Sequence, residues 1–198
     1  MVKTIRQGML SGIRMVLMPA MMSVLLLLPA VLSANDGLFE VRSASTRLNN
    51  GVYYLNATID YQLSSQAIEA VDNGVPLTFD LEIEISRSRR WWFDPEIAQL
   101  KQSFELRYNA LSRRYVVLNV NSGEQKSYST LYAALADMGR LVDVPVVDTA
   151  LIESGVSHYV RLRAVLDQQR LPGALQMLAF WSDGYRLESE WYSWTLND

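Results

Sequence analysis

Two long stretches of the chain alternate apolar and polar residues with a period of two. Between residues 53 and 63 the apolar positions are Tyr53, Leu55, Ala57, Ile59, Tyr61 and Leu63, and Asn56, Thr58, Asp60 and Gln62 lie between them. Residues 77–85 repeat the pattern, with Leu77, Phe79, Leu81, Ile83 and Ile85 set against Thr78, Asp80, Glu82 and Glu84. Because successive side chains of a strand point to opposite faces, this pattern predicts two half-buried antiparallel strands.

Shorter apolar runs bounded by turn residues predict further strands. They cover residues 39–48, 100–108, 115–120, 126–129, 156–167, 175–181 and 185–196. Asn49-Asn50-Gly51 and Asp183-Gly184 predict tight hairpins, because Asn, Asp and Gly tolerate positive φ. Residues 143–155 lack a regular pattern, so we expect an irregular crossover there.

Two segments have apolar residues at helical spacing. Residues 66–72 follow Ser64 and Ser65, whose hydroxyls can cap a helix, and they end at Asn73-Gly74. Residues 130–138 end at Gly139. The chain is therefore predicted to be mainly β: an antiparallel β-sandwich, immunoglobulin-like or similar, with two short helices in the connections.

The first 34 residues have the order of a secretory signal peptide. Lys3, Arg6 and Arg14 precede an apolar run, and small residues follow at Ser33 and Ala34. Residues 15–34 are also long enough to cross a bilayer, which leaves an uncleaved membrane anchor as the alternative. Both alternatives predict export: residues 35–198 would form a single domain in the periplasm, either free or tethered to the inner membrane.

The composition of residues 35–198 limits the classes of function that this part of the chain can have. The chain has no cysteine, so a hydrophobic core rather than disulfides must stabilise the domain. Removing Lys3, Arg6 and Arg14 from the 18 basic residues leaves 15, against 21 acidic residues. An acidic domain is poorly suited to neutralising phosphates, so we expect no nucleic-acid partner.

Basic and aromatic residues cluster after the second alternating strand. Continuing its parity puts Arg87 and Arg89 on the apolar side, so the strand has run past the core or a bulge has turned it. Aromatic anchors would supply contact area, and arginines would fix register against acidic or carbonyl groups of an envelope protein or peptide. The predicted binding residues are Arg87, Arg89, Arg90, Trp91, Trp92, Phe93, Arg161 and Arg163, with help from the C-terminal tryptophans.

The arginines and the tryptophans could instead have a purely structural role, which we call the structural alternative. The arginines would then pair across strands with Glu82, Glu84, Glu188 or Glu190. The tryptophans would pack in the core or at the edge of the sandwich. A third possibility makes exposed tryptophans a platform for sugar rings, and the protein a carbohydrate or cell-wall binding module.

Catalytic and metal-binding chemistry is poorly represented. His158 is the only histidine, and its parity with Val160 and Leu162 predicts a packed imidazole. One histidine without cysteine cannot form the usual zinc sites, and no nucleophile, P-loop or dinucleotide motif is present. Asp94 and Glu96 lack the spacing of a calcium loop and are weak evidence for a carboxylate pair that hydrolyses glycosides. We therefore expect no enzyme activity, no cofactor and no bound metal.

Short motifs follow one another along residues 38–196. They are Asn73-Gly74-Val75-Pro76-Leu77, Tyr108-Asn109-Ala110-Leu111-Ser112 running on to Tyr115, Arg161-Leu162-Arg163, Leu166-Asp167, Leu171-Pro172 and Ser189-Glu190-Trp191-Tyr192-Ser193-Trp194. In this order they resemble the domain of unknown function 4390 family of exported proteobacterial proteins. The resemblance implies an exported single-domain protein without an assigned reaction. Because genes of that family tend to lie beside a membrane sensor kinase, it also implies an accessory periplasmic partner of such a kinase.

Overall fold

The computed structural model describes residues 37–87, 96–181 and 183–196. The chain divides into two units, Met1–Ser33 and Ala34–Asp198, and all the described residues belong to the second. The predicted targeting segment, residues 1–34, lies outside the described residues, so its cleavage stays a prediction. Among the helices of the described ranges, none is both long enough and apolar enough to cross a membrane.

The described residues form nine strands and three α-helices. The strands are β1 (Leu38–Asn49), β2 (Val52–Gln62), β3 (Leu77–Arg87), β4 (Glu96–Asn109), β5 (Arg114–Asn119), β6 (Gln125–Tyr128), β7 (Arg140–Asp148), β8 (His158–Leu166) and β9 (Tyr192–Leu196). The helices are α1 (Ser65–Asp72), α2 (Leu131–Met138) and α3 (Gly173–Trp181). Short 3-10 turns cover Thr149–Leu151, Gln168–Arg170 and Asp183–Tyr185.

The strands form two antiparallel sheets that share one core. The smaller sheet has the order β1-β2-β7 and the larger has the order β6-β5-β4-β3-β8-β9. The predicted hairpin between β1 and β2 is present, and Asn50 and Gly51 both have positive φ there. The prediction of a mainly β antiparallel sandwich is confirmed.

The alternating residues of β2 and β3 form the contact between the two sheets. All the apolar positions of residues 53–63 and 77–85 are buried. Phe39 of β1 and Tyr61 of β2 contact Phe79 of β3, with ring centroids 5.7 and 5.4 Å from that of Phe79. Removal of this apolar surface from water is the main force that holds the sheets together.

Both predicted helices are present, and side chains cap them. Ser64 Oγ accepts a hydrogen bond from the backbone N–H of Ala67 at the start of α1. Thr130 Oγ1 accepts one from the backbone N–H of Ala133 at the start of α2. These bonds satisfy N–H groups that have no partner within the helix, which is why the chain turns helical at these points.

The prediction of a strand over residues 175–181 is wrong, because these residues belong to α3. A short apolar run does not distinguish a strand from a helix by periodicity. Ala174, Leu175, Gln176 and Met177 are strong helix formers, and their propensity favours the helix.

Two connections also differ from the prediction. The region predicted as an irregular crossover contains part of β7, whose pattern is interrupted by Pro145 and by the positive φ of Asp143. Both are tolerated because β7 is an edge strand. Asp183 and Gly184 form a 3-10 turn rather than a hairpin, so β9 begins only at Tyr192.

The hydroxyl of Tyr61 is buried between the sheets without a hydrogen-bond partner among the described residues. Burial also raises the pKa of that hydroxyl far above its ordinary value. Replacing Tyr61 with phenylalanine removes an unsatisfied polar group, so we expect the free energy of unfolding at neutral pH to rise by about 1 kcal/mol. Urea denaturation of both proteins measures this difference.

The Tyr61→Phe protein should also lose less stability at alkaline pH. A tyrosine whose pKa is raised by folding keeps its proton in the folded chain when the unfolded chain has lost it, so stability falls as the pH rises above about 10. Tyr115 is the matched control for removal of a tyrosine hydroxyl, because its hydroxyl donates a hydrogen bond to Asp72. This bond raises the pKa of Tyr115 to about 12. Tyr115→Phe removes a bond that is made, and should lower stability. If Tyr61→Phe lowers it as well, the hydroxyl of Tyr61 has a partner.

Candidate binding site

The outer face of the six-stranded sheet, which points away from the core, carries rows of paired charges. Glu82 of β3 lies between Lys101 of β4 and Arg163 of β8 in the sheet register. Arg163 Nε donates a hydrogen bond to Glu82 Oε2 at 2.7 Å, and in the next row Arg161 Nε donates one to Glu84 Oε2 at 2.6 Å. These bonds fix the positions of both guanidinium groups on this face.

The two guanidinium groups support Trp191. The Cζ atoms of Arg161 and Arg163 lie 4.4 and 4.7 Å from the centroid of the Trp191 ring. A cation at this distance from an indole is attracted by the ring, by about 0.5–1 kcal/mol at exposed sites. Because the arginines are themselves fixed by Glu84 and Glu82, the orientation of the half-buried indole is fixed as well.

A β-bulge places Trp191 in this position. Leu162 of β8 pairs with Tyr192 of β9. Two residues further along β8, the carbonyl of Ala164 accepts a hydrogen bond from the backbone N–H of Ser189, three residues before Tyr192. Glu190 and Trp191 therefore both lie opposite Arg163. An extra residue of this kind bends the strand and redirects side chains, which is a common device at sheet edges.

A cleft of about 280 Å³ opens between this bulge and the start of β1. One wall consists of four consecutive residues, Leu38, Phe39, Glu40 and Val41. The other wall consists of Glu188, Glu190, Trp191 and Tyr192. We call this space the Trp191 cleft. Leu38 is 54% exposed at the rim of the cleft and adds accessible apolar surface to it.

Three carboxylates give the Trp191 cleft a negative rim. Glu40 pairs with Arg42 at 2.9 Å, and Glu188 lies 3.5 Å from Arg163. Glu190 has no ion-pair partner among the described residues. The cleft thus combines apolar walls with three carboxylates at its edge, two of which already form ion pairs.

The structure brings some of the predicted binding residues together and separates others. Arg161 and Arg163 lie side by side under Trp191, and they make the ion pairs with Glu82, Glu84 and Glu188 that the structural alternative predicts.

Arg87 does not join them. It pairs with His158 in the register of β3 and β8, and its guanidinium forms an ion pair with Glu153. It therefore lies on the opposite face of the sheet from Arg161, three positions or about 10 Å further along the strand. The remaining predicted residues, Arg89, Arg90, Trp91, Trp92 and Phe93, lie outside the described residues.

Sequence reasoning missed the other wall of the cleft. Leu38 and Glu40 carry no distinctive motif, and the strand order that brings β1 beside residues 188–192 is not visible in a period-two pattern. Trp194 packs at the edge of the sandwich, as the structural alternative predicts for the tryptophans. Its Nε1 donates a hydrogen bond to Thr46 Oγ1 at 3.2 Å across that edge.

The histidine is placed as its parity predicts. His158 is only 2% exposed, and its Nε2 has no hydrogen-bond partner among the described residues. Within the described ranges, no group of three or more histidine, aspartate or glutamate residues is arranged to hold a metal ion.

These observations define a class: a two-sheet, mainly β domain with an ion-paired outer face and a cleft at the seam between its sheets. The chain belongs to the family described as Domain of unknown function (DUF4390), whose sequence profile matches residues 37–195. The resemblance seen in the sequence motifs is thereby confirmed. Neither the curated proteins nor the solved structures contain a match to the chain.

Proposed function

We propose that this protein is a non-catalytic domain of the periplasm that binds another envelope protein or a peptide through the Trp191 cleft. The observation that carries the proposal is the fixed indole of Trp191, supported by Arg161 and Arg163 beside the exposed side chain of Leu38. A membrane sensor kinase is the candidate partner that the family resemblance suggests.

The physical argument rests on preorganisation. Binding hot spots are typically large aromatic or arginine side chains in pockets that exclude water. An indole already fixed by two guanidinium groups loses little conformational freedom on binding, so more of its contact energy appears as affinity. Arg161 and Arg163 act in this proposal by positioning Trp191, because their own hydrogen bonds are already made to Glu84 and Glu82.

Two further observations support the other two parts of the proposal, the absence of catalysis and the export to the periplasm. The only histidine is buried, so it cannot reach a substrate without rearrangement of the core. The basic, apolar and small-residue order of residues 1–34 supports export.

The mass of the mature protein in a periplasmic fraction tests export: loss of the first 33 or 34 residues is expected, and a cytoplasmic full-length protein would contradict it.

Crosslinking in cells tests binding at the cleft. A photoreactive amino acid in place of Leu38 is expected to capture one envelope protein, because Leu38 lies at the rim of the cleft. The same amino acid in place of Leu111, which is fully exposed at another turn, is the matched control. Combining the Leu38 probe with Trp191→Ala should abolish capture. Equal capture from both positions, or capture that survives Trp191→Ala, would contradict the proposal.

Carbohydrate binding is the second candidate. It is favoured by the presence of an indole next to three carboxylates, since glutamate oxygens can accept hydrogen bonds from sugar hydroxyls. Tryptophan fluorescence titrated with soluble cell-wall fragments separates the two functions. A saturable change that is lost in Trp191→Ala supports the carbohydrate function, and an unchanged spectrum removes it.

A further inference from the structure

We propose that the Trp191 cleft takes an extended peptide that adds as a strand to the free edge of β1 and presents basic side chains alternating with apolar ones. This inference rests on the proposed function, and it specifies both the chemistry of the ligand and its mode of binding.

The lining of the cleft shows that it runs along a backbone edge. Side chains of a strand point alternately to the two faces of its sheet, so a pocket on one face touches every second residue. The Trp191 cleft instead touches the four consecutive residues Leu38, Phe39, Glu40 and Val41. Only a space beside the strand, at the level of its main chain, contacts such a set.

The main chain at this edge is available. In the part of the chain that the structure describes, residues 38–41 pair with β2 on one side only. Every second residue of an edge strand directs its N–H and C=O groups away from the sheet, and these groups need partners. Because residues 38–41 all line the Trp191 cleft, a strand added there would supply these partners.

Among the described strands, two of the other sheet edges, β7 and β6, have features that resist strand addition. β7 contains Pro145 and the positive-φ residue Asp143, and β6 is only four residues long. Short strands, prolines and bulges are the usual defences against strand addition. In β1 the pairing stays regular from Leu38 to Val41, and a register shift between Val41 and Ser43 then interrupts it. The available edge is therefore short and defined.

The charges around the edge select the ligand. Phe39 and Val41 are buried on the core side of β1, whereas Leu38 and Glu40 point to its other side. Glu188, Glu190, Trp191 and Tyr192 line the facing wall of the cleft. An added strand places alternate side chains on opposite faces, so one set would lie along the core side of β1, beside Phe39 and Val41, and the other would lie beside Glu40. Lysine or arginine alternating with valine, leucine or an aromatic residue matches this environment.

The test uses a synthetic peptide of alternating lysine and valine. Its affinity for the mature protein is compared with that of a glutamate–valine peptide and of a lysine–valine peptide N-methylated at every second residue. Hydrogen exchange of residues 38–41 is measured with and without peptide. We expect the lysine–valine peptide to bind and to slow exchange at alternate residues of β1. The glutamate–valine and N-methylated peptides should each bind about tenfold more weakly or worse, because each loses several hydrogen bonds or ion pairs that together contribute about 1.4 kcal/mol or more.

The outcomes separate this inference from the proposed function. Suppose that the lysine–valine peptide binds and that Trp191→Ala abolishes this binding, but hydrogen exchange in β1 is unchanged and N-methylation is tolerated. Strand addition is then wrong, while binding at the cleft stands. If the glutamate–valine peptide binds equally well, the charge assignment is wrong. If sedimentation shows that the protein dimerises and that the dimer alone protects residues 38–41, the occupant is a second copy of the chain and the inference is overturned. If no peptide binds in the cleft, the inference fails, and the crosslinking from Leu38 decides the proposed function independently.

Discussion

Replacing Phe79 with alanine is expected to lower the free energy of unfolding by about 3–5 kcal/mol. Phe79 is completely buried in β3, and its ring contacts Phe39 and Tyr61 of the opposite sheet. Phe39 and Tyr61 are themselves packed edge to face, 4.9 Å apart, so neither ring can move into the vacated space without breaking its own contacts. The substitution therefore loses both the transfer energy of the ring and the energy of the cavity left behind. Urea denaturation followed by tryptophan fluorescence measures the change.

Tyr132→Ala is the matched control for the loss of an aromatic ring. Tyr132 is 82% exposed on α2, so its removal should change the free energy of unfolding by no more than about 0.5 kcal/mol. A Phe79→Ala protein as stable as Tyr132→Ala would show that the two sheets do not meet at Phe79.

Replacing Gly139 with alanine is expected to lower the free energy of unfolding by about 3 kcal/mol, the upper part of the range for overpacking. A β-carbon at this position would overlap the carbonyl oxygen of Ile59 and lie 3.2 Å from its carbon. The two backbones cannot easily separate, because the Ile59 N–H donates a hydrogen bond to the Gly139 carbonyl at 2.8 Å. The cost comes from the close approach of α2 to β2, since the φ of Gly139 is −75°, a value open to any residue.

Gly173→Ala controls for the general effect of adding a methyl group to glycine. A β-carbon on Gly173, at the start of α3, would meet no atom within 4 Å. Alanine there should leave stability unchanged or raise it by up to about 1 kcal/mol, since it restricts the unfolded chain. Equal effects of Gly139→Ala and Gly173→Ala in a thermal or urea melt would mean that α2 does not approach β2 as closely as described.

The fold could be predicted from the sequence where the solvent imposes a simple pattern. β2 and β3 each alternate apolar residues that lie in the core with polar residues on the other face, so hydrophobicity alone identifies them. Residues 175–181 were beyond this reasoning because an apolar run without alternation fits a helix or a strand. β7 was only partly visible, because an edge strand tolerates Pro145 and the distortion at Asp143.

The candidate site was predictable only in part, for a related reason. The spacing of Arg161 and Arg163 placed both on one strand face, and the structural alternative named Glu82, Glu84, Glu188 or Glu190 as their partners. The first three of these glutamates do pair with them. Register and strand order depend on contacts between residues far apart in the chain, and a period of two contains no information about them. The cleft between Leu38 and Trp191 arises from such contacts and from a bulge, so only the structure shows it.

The central claim is that the Trp191 cleft binds a peptide segment, and selection from a random peptide library displayed on phage tests it most directly. Three targets are compared: the wild-type domain, Trp191→Ala, and Leu111→Ala as a control for loss of exposed apolar surface. We predict that the wild-type and Leu111→Ala proteins enrich the same peptides, with basic and apolar residues in alternation, and that these peptides do not bind Trp191→Ala. No enrichment on the wild-type domain, or peptides that bind Trp191→Ala equally well, would contradict the account.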